Sequence, residues 1–442
     1  MSGDLKNVKF FIRTFGCQMN ESDSEHIAGI LTGHGAEKAG SAEESNLIIV
    51  NTCAVREKSE EKLYSFLGRM AALKKRTKAR LGVVGCVGQL QGAGMFKARA
   101  SLDFVLGPDN YGRLPALLLS REGERIALTS WNREWPEYPE GSPLRDNAFS
   151  AFVPVMEGCD NYCSYCIVPF TRGREKYRPL GQIMTELRDL AAAGFKEIQF
   201  LGQNVNTYRD PRTGISFPDL LRETGRLEKI EWIRFITSHP RNFSREIAEA
   251  MRDTAKVCRQ LHLPLQAGST AVLQRMKRGY SREEYLEKIR LLRELLPDIS
   301  LSTDIIVGFP GETDSEFGQT LEVLGQVRFT NIFSFRYSPR PRTTASKLKD
   351  DVPFPVKRDR LIEVQRLQKE IQLESHAALM GRAQRILCTG ASRKDAGVFS
   401  GRNEGAEVVN FTAFGNPLGT FVDVRITGYG PYSLRGEVVP FP

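Results

Sequence analysis

Cys159-Asp-Asn-Tyr-Cys163-Ser-Tyr-Cys166 sets three thiols on one short stretch, at C-x3-C-x2-C spacing. Three thiolates on one loop can hold three irons of a [4Fe-4S] cube and leave the fourth iron without a protein ligand. An open iron can chelate the amino and carboxylate groups of a methionine moiety. An electron passed from the reduced cube into the sulfonium of such a molecule breaks its C5′–S bond and yields a 5′-deoxyadenosyl radical. The cofactor supplies that chemistry, and the protein supplies placement and exclusion of water. A structural zinc site would need a fourth ligand and a second short-spaced pair. None follows Cys166.

Three further cysteines lie far apart, in matching contexts: FFIRTFG before Cys17, LIIVNT before Cys53 and LGVVG before Cys86. The apolar runs read as strands. In a parallel sheet the carboxyl ends of strands share one rim, where ligands bind. Three thiols can meet there without a local motif and hold a second cluster, whose open iron could carry a sulfur awaiting methylation. Free cysteine also packs as a small hydrophobe, but three at successive strand ends favour the cluster. Cys258 and Cys388 show no such pattern and read as packing residues.

The elements that must position these thiols fall into three units. Residues 1–145 alternate strands with helical patterns over SDSEHIAGILTGHG and about Glu57–Lys75, an α/β domain with a parallel sheet. Residues 130–148 carry Pro, Gly and polar residues without periodicity and read as a linker. A second βα series follows, with strands FVPVMEG, EIQFLGQN, WIRFITSHP, QLHLPLQ, SLSTDIIVGFPG and NIFSFRYSPRP. Six βα units are too few for a closed eight-stranded barrel of about 250 residues, so an open partial (β/α)6 barrel is expected over 146–374. A long helical pattern runs from about Val356 to Ala378. Short strands with Gly turns then predict a small antiparallel β-barrel over 375–442, of a size that often binds RNA.

The bulk properties agree. The chain has 442 residues, 41% hydrophobic and 26% charged, an ordinary globular balance. Its net charge of +9 suits a polyanion partner. No apolar run reaches the roughly 20 residues of a membrane-spanning helix. The start lacks the order of a signal peptide, and a cytoplasmic location is expected.

The C-x3-C-x2-C loop after the first strand of a partial barrel resembles the radical S-adenosylmethionine superfamily. That resemblance implies S-adenosylmethionine as cofactor, with Tyr165 against its adenine. It sets Gly202-Gln203-Asn204 beside the methionine amino group, where the usual form is Gly-Glu. Ser238, Gln266 and Asp304, expected at the ends of later strands, are candidate ribose or methionine contacts; each could equally cap a loop.

Across the whole chain, TFGCQMNESDSE, NTCAVREKSEEKLYSFLGRM, EGCDNYCSYCIVPFTRGRE, LGQNVN, LPLQAGS, MKRGYS and GFPGET resemble the methylthiotransferases, and the last unit is similar to a TRAM domain. Cys17-Gln-Met-Asn20 and Ala54-Val-Arg-Glu-Lys58 look most like the subgroup that acts on isopentenylated adenosine in tRNA. The resemblance implies two [4Fe-4S] clusters, on Cys17, Cys53 and Cys86 and on Cys159, Cys163 and Cys166. It implies methylthiolation at C2 of N6-isopentenyladenosine beside the anticodon. One S-adenosylmethionine methylates cluster-bound sulfur and a second yields the radical. A tRNA anticodon stem-loop, an electron-donor protein and a sulfur donor are the partners it implies, with no membrane. Three alternatives stay open: threonylcarbamoyl-adenosine in tRNA as substrate, a ribosomal protein as substrate, or a non-catalytic iron–sulfur RNA-binding protein.

Arg172, Arg174, Lys176 and Arg178 follow the radical loop, and are expected to meet RNA at the mouth of the site. Arg336, Arg340 and Arg342 close the last barrel strand. Lys74, Lys75, Arg76, Lys78 and Arg80 end a helix, where cations suit either the helix dipole or phosphates.

Overall fold

LIIVNT is buried at every position from Leu47 to Thr52, as an apolar run must be in a parallel sheet covered on both faces. In the computed structural model it is the third strand, β3, of a six-stranded sheet. The others are β1 (Lys9–Phe15), β2 (Glu37–Lys38), β4 (Arg80–Val84), β5 (Phe104–Leu106) and β6 (Ile126–Leu128). Their order is β2-β1-β3-β4-β5-β6, and every pair is parallel. β2, β5 and β6 were not expected; each has two or three residues, too few to show a period. Helix α1 (Gln18–Gly33) begins directly after Cys17, earlier than the predicted Ser22. Helices α2 (Glu57–Thr77) and α3 (Cys86–Gln91) follow β3 and β4.

The structure describes all residues except 1–4, 56, 121–123, 136–142, 393–394, 396, 414 and 440–442. Arg56 of the Ala54–Lys58 motif, part of the expected linker and the end of the last predicted strand lie outside the described residues.

The second unit contains β7 (Ser150–Pro154), a two-stranded antiparallel pair β8 (Met156–Glu157) and β9 (Lys176–Tyr177), then β10 (Glu197–Leu201), β11 (Trp232–Phe235), β12 (Gln260–His262), β13 (Ser300–Val307) and β14 (Asn331–Arg336). Two three-stranded parallel sheets result, β11-β10-β7 and β12-β13-β14. The curve continues between them where Ile233 N donates to Lys256 O at 2.7 Å and Cys258 N to Ile233 O at 2.9 Å. Six parallel strands in chain order thus form the open partial barrel. Phe200, Phe217, Phe235, Tyr285 and Phe309 fill its core. Its helices start as the sequence dictates. Ser281 Oγ accepts from Glu284 N at 3.2 Å while Glu284 Oε2 accepts from Ser281 N at 2.7 Å, a reciprocal cap for Arg282–Leu295.

A helix over Phe354–Ala377 leads to the third unit, with β15 (Ala383–Ala391), β16 (Phe399–Asn403), β17 (Val408–Thr412), β18 (Phe421–Tyr429) and β19 (Leu434–Val438). They close into a barrel in the order β15-β16-β17-β19-β18. The expected antiparallel pattern needs one correction: β17 and β19 pair in parallel, because the chain crosses the barrel through β18 between them. Cys388 is buried in this core with Ile386, Phe411 and Leu434.

The barrel is fixed to the second unit. Arg234 donates to Asn403 O and Glu404 O, both at 2.7 Å, and through Nε to Glu197 at 2.6 Å. Trp232 meets Phe421 edge-on at 4.7 Å, with Cys258 packed in the same cluster. His376 Nδ1 donates to Gly430 O at 2.6 Å, and its Nε2 lies 3.5 Å from Glu407. Among the described residues no helix is long and apolar enough to cross a membrane.

Candidate active site between two cysteine trios

Strand register sets the first trio. Thr14 pairs with Asn51, and Asn51 with Val84, so β1, β3 and β4 end at one level. Cys17, Cys53 and Cys86 follow within three residues of that row. Cys17 caps α1 and Cys86 opens α3. Asn20 Oδ1 accepts from Cys17 N and from Cys17 Sγ, both at 3.4 Å. Gly85, between β4 and Cys86, has φ +88°, and a Cβ there would overlap Asn51 Oδ1. The neighbouring Cys53 side chain above all brings Cys17 down to about 6 against its burial. The neighbouring Cys17 side chain, with burial, drives Cys53 up. Burial pushes Cys86 up, and the Arg172 charge opposes it.

The second trio lies on the loop after β8. Gly158 precedes it at φ +82°, where a Cβ would overlap Arg174 O. The loop is pinned by Cys159 N to Gly173 O (3.2 Å), Ser164 N to Met276 O (2.9 Å) and Ser164 Oγ to Arg275 O (2.9 Å). Burial raises Cys159 to about 11 and Cys166 to about 12. Arg278 Nη1 donates to Cys163 Sγ at 3.3 Å. Arg241 N donates to His239 Nδ1 at 3.2 Å, which leaves the ring proton on Nε2, 3.7 Å from the same sulfur. Burial first, then the Arg278 and Arg241 charges, bring His239 to about 2 and keep it neutral.

The two loops share one interface. Ile167, next to Cys166, and Phe170 pack in the same apolar cluster as Cys86. Arg172, just beyond, donates Nε–H to Cys86 Sγ at 3.4 Å. Arg145 joins the units from the far side: it pairs with Glu25 of α1 at 2.8 Å and with Glu186.

This burial corrects the expected RNA contacts. Arg172 and Lys176 are 3% and 5% exposed and are held by Asp23 and Asp109 respectively. Arg178 pairs with Glu186. Only Arg174 of that set is open to solvent, with Asp160 beside it. Lys74 is tied to Asp103 at 2.5 Å, and Arg80 to Leu118 O at 2.8 Å; Lys75, Arg76 and Lys78 are exposed. Arg336 stacks on Phe354. Arg340 and Arg342 line a cleft of about 600 Å³ with Glu57, Glu60, Tyr64 and Gln91. Arg340 Nη2 donates to Val55 O at 3.1 Å, so the cleft opens close to Cys53.

The expected cofactor residues divide. Gln203 Oε1 accepts from Gly158 N at 2.6 Å and so braces the cysteine loop. A Cβ at Gly202 would overlap the Met156 side chain. Asn204 Nδ2 donates to Asn242 at 3.0 Å, while its Oδ1 is buried without a partner. Ser238 Oγ is likewise unpartnered. Asn206, missed in the sequence, adds a third orphan at Oδ1; its Nδ2 donates to His239 O at 3.2 Å. Tyr165 OH accepts from Arg278 Nη1 at 3.4 Å. Gln266 holds a left-handed turn at φ +75°, its N–H on Asp304 O at 2.9 Å. Asp304 is not at a strand end as expected: it lies within β13, beside His262 at 3.3 Å.

Among the described residues, no three His, Cys, Asp or Glu side chains are gathered around a single metal ion. The donor chemistry does fit clusters. All six cysteines are free thiols. N–H donors aim at four of the sulfurs: Val55 N at Cys53 (3.3 Å), Asn161 Nδ2 at Cys159 (3.5 Å), and the two arginines above. Such donors stabilise cluster thiolates. The orphaned Asn204, Asn206 and Ser238 oxygens fit a polar ligand beside the second trio.

Three family profiles match in order: the uncharacterized protein family UPF0004 over residues 9–107, the radical SAM superfamily over 153–324 and the TRAM domain over 378–439. The radical S-adenosylmethionine methyltransferase TsrM from Kitasatospora setae shares the fold at TM-score 0.56 and 16% identity, over 76% of this chain and 75% of that one. Fold, thiol loop and profile define a radical S-adenosylmethionine enzyme.

Relatives over nearly the whole length narrow the class. The tRNA-2-methylthio-N(6)-dimethylallyladenosine synthase of Geobacter metallireducens is 46% identical, covering 98% of each chain. That of Nitrosomonas europaea is 44% identical, over 97% of this chain and 98% of its own. The chain belongs to the tRNA-2-methylthio-N(6)-dimethylallyladenosine synthase family.

Proposed function

We propose that this enzyme attaches a methylthio group to C2 of N6-dimethylallyladenosine beside the anticodon of tRNA. The observation that supports the reading is the meeting of Cys86 with Ile167 and Arg172 across one interface, which sets the segment after Cys166 against the Cys86 turn. In this reading Cys159, Cys163 and Cys166 hold one [4Fe-4S] cluster, and Cys17, Cys53 and Cys86 hold the other. When bound, the clusters and S-adenosylmethionine supply a carbon radical and a methylated sulfur.

The chain's own residues do the rest. Asn204, Asn206 and Ser238 offer their unpartnered oxygens to S-adenosylmethionine, and Gln203 keeps the cysteine loop in place. Ile167, Phe170 and the Cys86 turn exclude water between the trios, which a reactive carbon requires. The cleft beside Val55 has room for a nucleoside, and a loop base is more easily splayed out than a paired one. Exposed Arg174, Lys75, Arg76 and Lys78 offer cations to RNA phosphates. Units 1–145, 146–374 and 375–442 divide these tasks into sulfur delivery, radical generation and RNA holding. An electron-donor protein and a sulfur source complete the set of partners.

The test is anaerobic turnover with dithionite and two tRNAs, one bearing N6-dimethylallyladenosine and one bearing threonylcarbamoyl-adenosine. Nucleoside mass analysis should find the 2-methylthio product, with 5′-deoxyadenosine, only from the first. Product from the second tRNA alone, or 5′-deoxyadenosine without any methylthio product, overturns the assignment.

A further inference from the structure

Arg172 follows the second cysteine loop, and its side chain reaches the Cys86 sulfur of the first trio. Its N–H closes the short helix that starts two residues beyond Cys166, on Val168 O at 2.8 Å. Its Nη1 donates to Asp23 Oδ1 at 3.1 Å and Glu157 Oε1 at 3.3 Å, and its Nη2 to Asp23 Oδ2. Tyr111 OH donates to the same Asp23 carboxylate at 3.2 Å. Lys176 stands beside it, on Asp109 and 3.6 Å from Glu157. All these groups are buried.

A clamp between two units needs the guanidinium and its carboxylates only. It leaves unexplained why Nε–H is aimed at the Cys86 sulfur at 3.4 Å. A hydrogen bond to a ligating sulfur, and a cation behind it, favour the more negative, reduced state of a cluster and raise its reduction potential. The network also sets the strength of that effect. Asp23 and Glu157 offset the guanidinium charge, so the directed N–H remains the main local influence on the sulfur.

We propose that Arg172 is a positioning residue that sets the reduction potential of the cluster on Cys17, Cys53 and Cys86, by donating Nε–H to the Cys86 sulfur. The inference rests on the reading of that trio as cluster ligands. The step concerned is a one-electron reduction, the electron coming from dithionite, with no bond made or broken.

The test uses the full chain with Cys159, Cys163 and Cys166 all changed to alanine, loaded anaerobically, so that one cluster gives the signal. This parent should hold about four irons. Dithionite titration followed by electron paramagnetic resonance then compares Arg172→Lys, Arg172→Gln and Asp23→Asn. Both Arg172 variants should shift the ratio of reduced to oxidised cluster about tenfold toward oxidised at fixed potential, a fall of about 59 mV. Asp23→Asn, which frees the guanidinium charge, should shift it toward reduced. Iron retained with an unmoved potential in the Arg172 variants overturns the proposal. If those variants shed their iron, Asp23→Asn decides: a raised potential supports the proposal, and an unchanged or lowered one overturns it. A parent without iron sinks the cluster reading itself.

Discussion

Asn20 and Asn51 hold each other across the rim of the first sheet: Asn51 Nδ2 donates to Asn20 O at 2.8 Å, and Asn20 Nδ2 donates to Asn51 Oδ1 at 3.1 Å. Both are fully buried. The pair ties the Cys17 turn to the strand that carries Cys53. Asn51→Ala removes one partner and leaves the Asn20 groups unsatisfied, a cost of about 1–3 kcal/mol. Urea unfolding should show that loss. Iron bound by the first trio should fall with it, and an unchanged midpoint would mean that water replaces the asparagine.

Gly158→Ala acts on the other loop alone. The left-handed φ and the overlap with Arg174 O force the cysteine loop to move. Iron content of the anaerobic enzyme should fall from about eight to about four. Formation of 5′-deoxyadenosine should stop, while the first trio keeps its cluster.

Arg174 and Arg178 look alike in the sequence but should behave differently. Arg174→Gln removes an exposed cation and should lower the salt slope of tRNA binding by about one, with thermal stability unchanged. Arg178→Gln breaks a half-buried pair with Glu186, which Arg178 and Arg145 together hold below the usual carboxylate range in spite of its desolvation. It should lower stability by about 1–3 kcal/mol and leave the salt slope as it was. A salt slope that moves equally in both variants would contradict this division.

His376 gives a pH signature. Burial works against its charge, but the bonds to Glu407 and Gly430 outweigh burial and raise its pKa in the folded chain. A raised folded value means that the stabilisation is complete below the unfolded pKa and is lost as pH rises through the folded one. The stability difference between wild type and His376→Gln should therefore hold below about pH 6.5, the unfolded value, and shrink as pH rises above it. Denaturant midpoints on either side of that value check the sign; a constant or growing difference would refute it.

Much of this architecture was legible because periodicity and register are local. β1, β3 and β4 showed as apolar runs, and their shared end level follows from parallel pairing, so Cys17, Cys53 and Cys86 could be grouped without a motif. The buried charges were not legible. Arg172 and Lys176 sit in a basic stretch that reads as surface, and their partners Asp23 and Asp109 are supplied by a different unit. Asn206 and His239 were missed for a related reason: each acquires its role only when loops from different strands meet. The parallel pairing of β17 with β19 was hidden because strand direction depends on how the barrel closes, not on strand composition.

The bonds from Arg234 to the Asn403 and Glu404 carbonyls, with the Trp232–Phe421 contact, make the small barrel a fixture rather than a tethered arm. A nucleic acid lying across both must accommodate a span set by the protein. Under the proposed function, substrate choice then becomes a matter of measurement as well as chemistry: a helix of the wrong length, gripped at the far end, would present its loop short of the cleft or beyond it.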